Sequence, residues 1–327
     1  MTFKKFICAA ACVPALFAQT KVVAQEAVAS FPSRPIRMLV PNAPGSSVDT
    51  LSRIIGNKMS EVIGQQMVVD NRAGAGGIVG MEIAKNAAPD GYTLISATTA
   101  ASTVAVLLMK NPTFDPVKDY YHLSQIAVTA NLLVVHPSVA AKSVRELIDH
   151  AKSRGGKLNM ASAGTGSQSH LSGAYFMNVA NIQSVHVPYK GGGPSVAAVI
   201  AGESQWTLTP APAVITHVNG GKVRALGHSL PGKSQLMGSI PSIAETLPGF
   251  DYSGWQGFFL PKGVPKPIAE KLRAALLKTA ALPEVKNLLA AQATDLATGT
   301  PEEFRKVVTD SIVKNARVIK AVGLKVD

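Results

Sequence analysis

Cysteine is nearly absent from this sequence, which has two cysteines, Cys8 and Cys12, and none after them. Both lie in an amino-terminal segment that we interpret as a secretory signal, so the mature chain would contain no cysteine. Disulfide bonds and thiol chemistry are therefore excluded for the mature protein, even in an oxidising compartment.

The first residues are typical of a secretory signal. Lys4 and Lys5 form a basic start, and residues 6–18 form an apolar run that is too short for an ordinary membrane-spanning helix. Small residues then provide cleavage sites. We predict a signal peptide over residues 1–24, with cleavage at the latest after Ala29, and hence a periplasmic protein.

Long hydrophobic runs and blocks of basic residues are also missing. No later segment has the roughly 18 uncharged apolar residues of a membrane span, so we expect a soluble mature protein. The chain has 32 Lys and Arg against 20 Asp and Glu, but the basic residues are scattered and not interleaved with aromatic residues. This pattern argues against a nucleic-acid partner and favours, weakly, small anions as ligands.

The motifs of common enzymes and metal sites are missing as well. There is no G-x-S-x-G elbow and no H-E-x-x-H pair, and the seven histidines are dispersed. Residues 227–234 (GHSLPGKS) match the phosphate-binding loop, but Gly238 and Pro241 follow where that motif requires a helix. We therefore expect no catalytic residues, no metal and no cofactor.

Strand-like and helix-like segments alternate along the chain, which predicts an α/β protein with parallel sheets. A length of 327 residues suggests two domains. The expected strands cover residues 36–40, 67–69, 93–97, 132–135, 158–161, 185–187, 223–227 and 254–260. The expected helices cover residues 48–63, 78–87, 143–153, 168–180, 195–201, 268–280, 284–290 and 301–321.

Three loops share one design, in which a strand end is followed by small residues and then by a helix start. They are residues 41–47 (PNAPGSS), 164–167 (GTGS) and 190–194 (KGGGP). The first N–H groups of a helix have no internal partner and carry a partial positive charge, so they bind anions without an arginine. Ligands of open α/β sheets lie beyond the carboxyl ends of the strands, where these loops would lie. A small carboxylate is the ligand that this arrangement favours.

At these same positions the chain resembles the Bug family, the tripartite tricarboxylate transporter receptors related to TctC. The matching segments are 31–36 (FPSRPI), 70–77 (DNRAGAGG), 88–94 (APDGYTL), 159–167 (NMASAGTGS), 186–191 (HVPYKG), 221–226 (GKVRAL) and 299–304 (GTPEEF). They extend over nearly all of the mature chain. Two departures stand out, because Ser46 replaces a usual glycine, and Leu208 and Thr209 replace a usual Phe-Asp pair.

The resemblance implies a type II periplasmic binding protein with two α/β lobes joined by two crossover segments around a central cleft. Lobe 1 would contain residues 30–126 and 236–327, and lobe 2 residues 127–235. Family members bind small carboxylates, often through backbone amides and water. The implied partners are a small carboxylate and the inner-membrane permease subunits of a tripartite transporter, with the receptor itself a monomer.

The loops and the resemblance together give a candidate ligand site. Its predicted binding residues are Ala43, Gly45, Ser46, Ser47, Thr98, Thr99, Ser162, Gly164, Thr165, Gly166, Ser167, Tyr189 and Pro210. Asp49 and His170 are expected to fix the loops rather than to contact the ligand.

Two other functions fit the same residues. A receptor that senses the ligand and signals to a membrane partner would use the same pocket. A secreted hydrolase would use Ser167 as nucleophile and His170 or His186 as base.

Overall fold

A computed structural model describes residues 30–324, so the predicted signal peptide lies outside the described residues. The strands are β1 (Ile36–Val40), β2 (Met67–Asn71), β3 (Thr93–Thr98), β4 (Tyr120–Thr129), β5 (Asn131–Val135), β6 (Asn159–Ser162), β7 (Val185–Pro188), β8 (Trp206–Pro210), β9 (Arg224–His228), β10 (Gly254–Pro261) and β11 (Thr294–Leu296). They form a six-stranded sheet in the order β11-β4-β10-β3-β1-β2 and a five-stranded sheet in the order β7-β6-β8-β5-β9.

Helices connect most of these strands. They are α1 (Ser47–Ile63), α2 (Ile78–Lys85), α3 (Ala105–Leu107), α4 (Val144–Ser153), α5 (Gln168–Ala180), α6 (Gly192–Ile200), α7 (Ile215–Asn219), α8 (Lys266–Ala281), α9 (Pro283–Ala291) and α10 (Pro301–Ala321). Their starts follow local chemistry. For example, Thr300 and Glu303 form a reciprocal capping box around Pro301 at the start of α10.

The two sheets repeat one topology. In each, three parallel strands come first, β2-β1-β3 in the larger sheet and β7-β6-β8 in the smaller, and an antiparallel strand follows, β10 or β5. The prediction of two α/β lobes is confirmed, and in each sheet antiparallel strands join the expected parallel ones. The antiparallel strands lie in the segments where the chain passes between the sheets. One passage is Ala130 between β4 and β5, and the other is the stretch between β9 and β10.

Three strands, β4, β8 and the short β11, were not predicted from the sequence. The two longer ones place polar side chains in the interior: His122 and Ser124 are buried in β4, and Thr207 and Thr209 in β8. The Thr207 hydroxyl donates to the carbonyl of Ala161 at 2.8 Å. A buried polar group of this kind is satisfied by a tertiary partner, which an alternating hydrophobic pattern does not reveal.

The last helix, α10, contacts both halves of the molecule. Phe304 and Val308 pack in an apolar cluster with residues of β1, β3 and β10. Val318 and Ile319 pack in a second cluster with residues of β5, β6 and β8. The lobe boundaries given above stay a prediction. Among residues 30–324, no helix is both long and apolar enough to cross a membrane.

Candidate functional site

A cavity of about 980 Å³ lies where the loops of the two sheets meet. Its walls come from the segments after β1, β2 and β3 of the larger sheet and after β6, β7 and β8 of the smaller. The carboxyl ends of the parallel strands of both sheets therefore face one space. This is the position at which open α/β sheets bind ligands.

Helix α1 presents unpaired N–H groups at this cavity. Ser46 caps the helix, and its hydroxyl accepts from the N–H of Asp49 at 3.4 Å. Within residues 30–324, the N–H groups of Ser47 and Val48 have no hydrogen-bond acceptor. Both residues line the cavity, so two donors at the positive end of a 17-residue helix are free for an anion.

A charged network holds the loop before α1. One carboxylate oxygen of Asp49 accepts from the N–H of Gly45 at 2.9 Å, and the other accepts from the amide of Asn71 at 3.0 Å. Arg53 forms an ion pair with the same carboxylate at 3.0 Å. Asn71 also donates to the carbonyl of Asn42 at 3.0 Å. Burial raises the pKa of Asp49, but the hydrogen bonds from Arg53, Gly45 and Asn71 outweigh it, so the pKa lies below its usual value.

Helix α5 presents a second pair of unpaired N–H groups at the same cavity. Ser167 caps this helix and accepts from the N–H of His170 at 3.2 Å. The N–H groups of Gln168 and Ser169 have no acceptor in the part of the chain that the structure describes. Both residues line the cavity. Two helix starts, one from each sheet, therefore offer donors to one ligand.

The loop before α5 is held by neutral groups. The N–H of Gly164 donates to the hydroxyl of Ser162 at 3.2 Å, and that hydroxyl also shares a 2.6 Å hydrogen bond with Nε2 of His186. The N–H of Gly166 donates to Nδ1 of His170 at 3.0 Å. The tautomer of His170 follows from the bond to Gly166, because Nδ1 must be unprotonated to accept.

The two histidine rings stack on each other, with centroids 3.9 Å apart and planes 8° from parallel. Burial, and to a lesser degree the adjacent His186, lower the pKa of His170 to about 4. Burial also lowers the pKa of His186. Both rings are therefore neutral at pH 7, which suits their role as supports of the loop.

Ser167 does not form the pair that a hydrolase requires. Its hydroxyl bonds to the N–H of His170 and to the hydroxyl of Ser169, and no imidazole nitrogen bonds to it among residues 30–324. Nδ1 of His170 is occupied by Gly166, and Nε2 of His186 by Ser162. The hydroxyl of Ser167 thus acts as a helix cap.

The two halves touch around the cavity. A Cβ added at Gly191, whose φ is +121°, would lie 2.7 Å from the Cβ of Ala43. A Cβ added at Gly166 would lie 2.8 Å from a terminal carbon of Leu108. Two glycines after β6 and β7 thus leave the space into which side chains of the opposite half fit. The halves are accordingly in direct contact beside the cavity.

The charge of the cavity wall has one sign. Lys110 and Lys190 are its charged residues among those described, and no aspartate or glutamate lines it. Asp49, the nearest acid in sequence, is buried behind the loop with its charge paired to Arg53. An anion entering this space meets donors and cations without a competing carboxylate.

Most of the predicted site residues line this cavity. Those that do are Ala43, Ser46, Ser47, Thr98, Thr99, Gly164, Thr165, Gly166, Ser167, Tyr189 and Pro210. Gly45 and Ser162 do not line it, because Gly45 turns toward Asp49 and Ser162 turns toward His186. The predicted loop-fixing residues Asp49 and His170 lie behind the wall and bond to the loops.

Not every N–H group in the predicted loops is a free donor. The N–H groups of Gly45, Gly164 and Gly166 are occupied within the protein, and the free N–H groups belong to residues at the helix starts. Tyr189 presents its ring, because its hydroxyl bonds to Ser204 at 3.2 Å. The hydroxyl of Thr99 accepts from the N–H of Trp255 at 2.9 Å and so supports the wall.

Several wall residues were missed from the sequence. Thr129 and Thr209 lie at or near the ends of β4 and β8, two strands that were not predicted, and Gln168 was counted only as part of a helix. The segment from Leu108 to Asn111 follows a buried π-helical turn, Ala100–Val104. A π-turn has no reliable sequence signal. The wall segment at residues 73–77 does have one, because its glycines after β2 repeat the design of the other loops.

Comparison with known proteins gives one consistent group. Residues 51–324 match the family model of the tripartite tricarboxylate transporter family receptor. The UPF0065 protein in the tcbD-tcbE intergenic region of Pseudomonas sp. strain P51 is 37% identical over 275 residues, which cover 84% of this chain and 82% of that protein.

Two solved structures are also similar to this chain. A protein of R. palustris solved with adipate has a TM-score of 0.87 and 28% identity, covering 90% of this chain and 98% of that one. MatC from Rhodopseudomonas palustris, with bound malate, has a TM-score of 0.82 and 28% identity, covering 88% of this chain and 100% of that one. The two-lobe fold therefore recurs in these proteins.

Proposed function

Because the chain belongs to the tripartite tricarboxylate transporter family of receptors, we propose that it captures a small carboxylate in the periplasm and delivers it to the membrane subunits of such a transporter. The observation that carries this proposal is the meeting of α1 and α5 at one cavity. Each helix start contributes two free N–H groups, at Ser47 and Val48 and at Gln168 and Ser169.

A carboxylate suits this arrangement for electrostatic reasons. Hydrogen bonds to a charged group contribute about 1.5–3 kcal/mol each, and oriented N–H groups provide them without the desolvation of a buried cation. The absence of acids from the described wall removes the repulsion that an anion would otherwise meet. Since the donors come from both halves, a bound carboxylate favours the closed arrangement over an open one.

The solved relatives support a carboxylate ligand. One was solved with adipate and another with bound malate, both of which are dicarboxylates. The proposal assigns binding and no catalysis to this chain, because the hydroxyl of Ser167 caps a helix and lacks an imidazole partner within residues 30–324. It also includes export by the predicted signal peptide and action as a monomer.

A proline substitution tests the N–H groups directly. Ser47 is the first residue of α1, where proline is tolerated, and Ser46 already has the extended backbone that a following proline prefers. Pro301 shows the same arrangement in α10. Ser47→Pro therefore removes one donor with little change to the helix. We expect its affinity for carboxylates such as succinate, adipate and malate, measured by calorimetry, to fall by at least tenfold.

The matched control is Ser47→Ala, which removes the hydroxyl and keeps the N–H group. We expect this variant to lose less affinity than Ser47→Pro, with melting temperatures of the free variants close to each other. In the unmodified protein, a carboxylate at 100 times its dissociation constant should add about 2.7 kcal/mol of stability. Failure of every carboxylate to raise the melting temperature, or full affinity in Ser47→Pro, would contradict the proposal.

A further inference from the structure

Gln168 combines burial with a complete lack of hydrogen-bond partners. The residue is 9% exposed, and neither Oε1 nor Nε2 of its side chain has a partner among residues 30–324. It lines the cavity at the first position of α5. Buried amide groups in folded proteins nearly always have partners, so an exception beside a binding cavity points to a group that arrives with the ligand.

The position of the side chain is set by its surroundings. Gln168 belongs to the half that contains α5, and its amide packs against Gly254 at the start of β10. A Cβ added at Gly254 would lie 3.1 Å from Nε2 of Gln168. The amide therefore bridges the two halves at the wall of the cavity, close to the free N–H groups of Gln168 itself and of Ser169.

A second glutamine in the cavity wall, Gln256, has an amide donor that is hydrogen-bonded within the protein. Nε2 of Gln256 donates to Ser96 at 2.8 Å, to Ser52 at 3.3 Å and to the carbonyl of Val48 at 3.3 Å. Gln256 is thus a structural residue whose amide donor is occupied by the protein. Gln168 lines the same cavity, and neither the donor nor the acceptor of its buried amide has a partner in the described part of the chain.

We propose that Gln168 is a specificity-determining residue and that the preferred ligand is a hydroxycarboxylate. The inference rests on the proposed function, in which the carboxylate binds the N–H groups at the starts of α1 and α5. A hydroxyl both donates and accepts, so one hydroxyl near that carboxylate satisfies Oε1 and Nε2 of Gln168. A ligand without the hydroxyl leaves the amide unpaired, and sites of this kind reject such analogues strongly.

Pairs of ligands that differ by one hydroxyl test this assignment. The affinities of malate against succinate, and of 2-hydroxybutyrate against butyrate, would be measured by calorimetry for the mature protein and for Gln168→Leu. We expect the unmodified protein to prefer the hydroxylated member of at least one pair by tenfold or more. In Gln168→Leu that ratio should fall below threefold, mainly because the hydroxylated ligand binds less tightly.

Gln66→Leu is the matched control, since it makes the same substitution at an exposed residue that does not line the cavity. It should retain the preference of the unmodified protein. Equal affinity within both pairs, or an unchanged preference in Gln168→Leu, would overturn the assignment of Gln168 while leaving carboxylate binding intact. Absence of binding by all four compounds and by the wider carboxylate panel would overturn the proposed function, and this inference with it.

Discussion

The loops before α1 and α5 occupy equivalent places in the two sheets, yet different chemistry holds them. Each follows the middle strand of a parallel trio, β1 or β6, and each ends at a serine cap. The first loop is held by the ionised carboxylate of Asp49, which accepts from the N–H of Gly45 and the amide of Asn71. The second is held by neutral histidines through His170 and His186.

The same topology therefore presents backbone N–H donors in both sheets, although the side chains that hold the two loops differ. A buried carboxylate bonded to N–H groups stabilises its loop as long as it is ionised. A neutral imidazole that accepts from an N–H group does so only while it is unprotonated. The two loops should therefore respond differently to the removal of charge and to acid, and each response can be measured separately.

The largest effect is expected from Asp49→Asn. The substitution removes the charge and turns an acceptor into a donor, which would face the donors of Gly45, Arg53 or Asn71. Arg53 is half exposed, so the ion pair itself contributes little, and the hydrogen bonds carry most of the effect. We expect a loss of about 3 kcal/mol in the free energy of unfolding, measured with urea.

Asp70→Asn is the control for Asp49→Asn. Asp70 also bonds to two arginines, Arg37 and Arg72, but it lies on a partly exposed edge strand away from the cavity. Exposed ion pairs contribute little, so this variant should lose about 1 kcal/mol and keep its affinity for carboxylates. Equal losses in the two variants would show that the first loop has no special dependence on its charge.

Acid should weaken the second loop first. The pKa of His170 in the folded protein is about 4, below its usual value of 6.5, so the unfolded chain binds the proton more tightly. Stability is therefore lost as the pH falls below 6.5, at about 1.4 kcal/mol per pH unit for this residue. Between pH 7 and pH 5 the loss attributable to His170 is about 2 kcal/mol, measured by urea unfolding.

Asp49 in the first loop should respond differently to acid over the same pH range. The pKa of Asp49 is lowered from 3.8, so the contribution of Asp49 to stability is intact at pH 5 and is lost only as the pH falls below 3.8. The buried His122, whose pKa is also lowered to about 4, contributes a similar slope in every variant. His170→Asn should therefore reduce the slope of stability against pH between 6.5 and 5 without abolishing it, whereas Asp49→Asn should leave the slope unchanged. An unchanged slope in His170→Asn would show that this histidine is not held neutral by the fold.

Local signals explain which parts of this molecule could be read from the sequence. The capping box at Thr300 and Glu303 gave the start of α10, and the glycine-bearing turns gave the loops around the cavity. The free donors could not be assigned in this way. Whether the N–H of Gly164 is free depends on Ser162 and on His186, which arrives from another strand.

The smallest effect is expected from Ser162→Ala, which separates the loop from its histidine support. It leaves the N–H of Gly164 and Nε2 of His186 without their shared partner, and both groups are neutral. We expect a loss of about 1 kcal/mol in stability, because neutral hydrogen bonds contribute less than charged ones. Thr309→Ala, which removes an exposed hydroxyl on α10, should change stability by less than about 0.5 kcal/mol. A loss in Ser162→Ala as large as that in Asp49→Asn would mean that charge does not distinguish the two loops, since the neutral support would then be as strong as the ionic one.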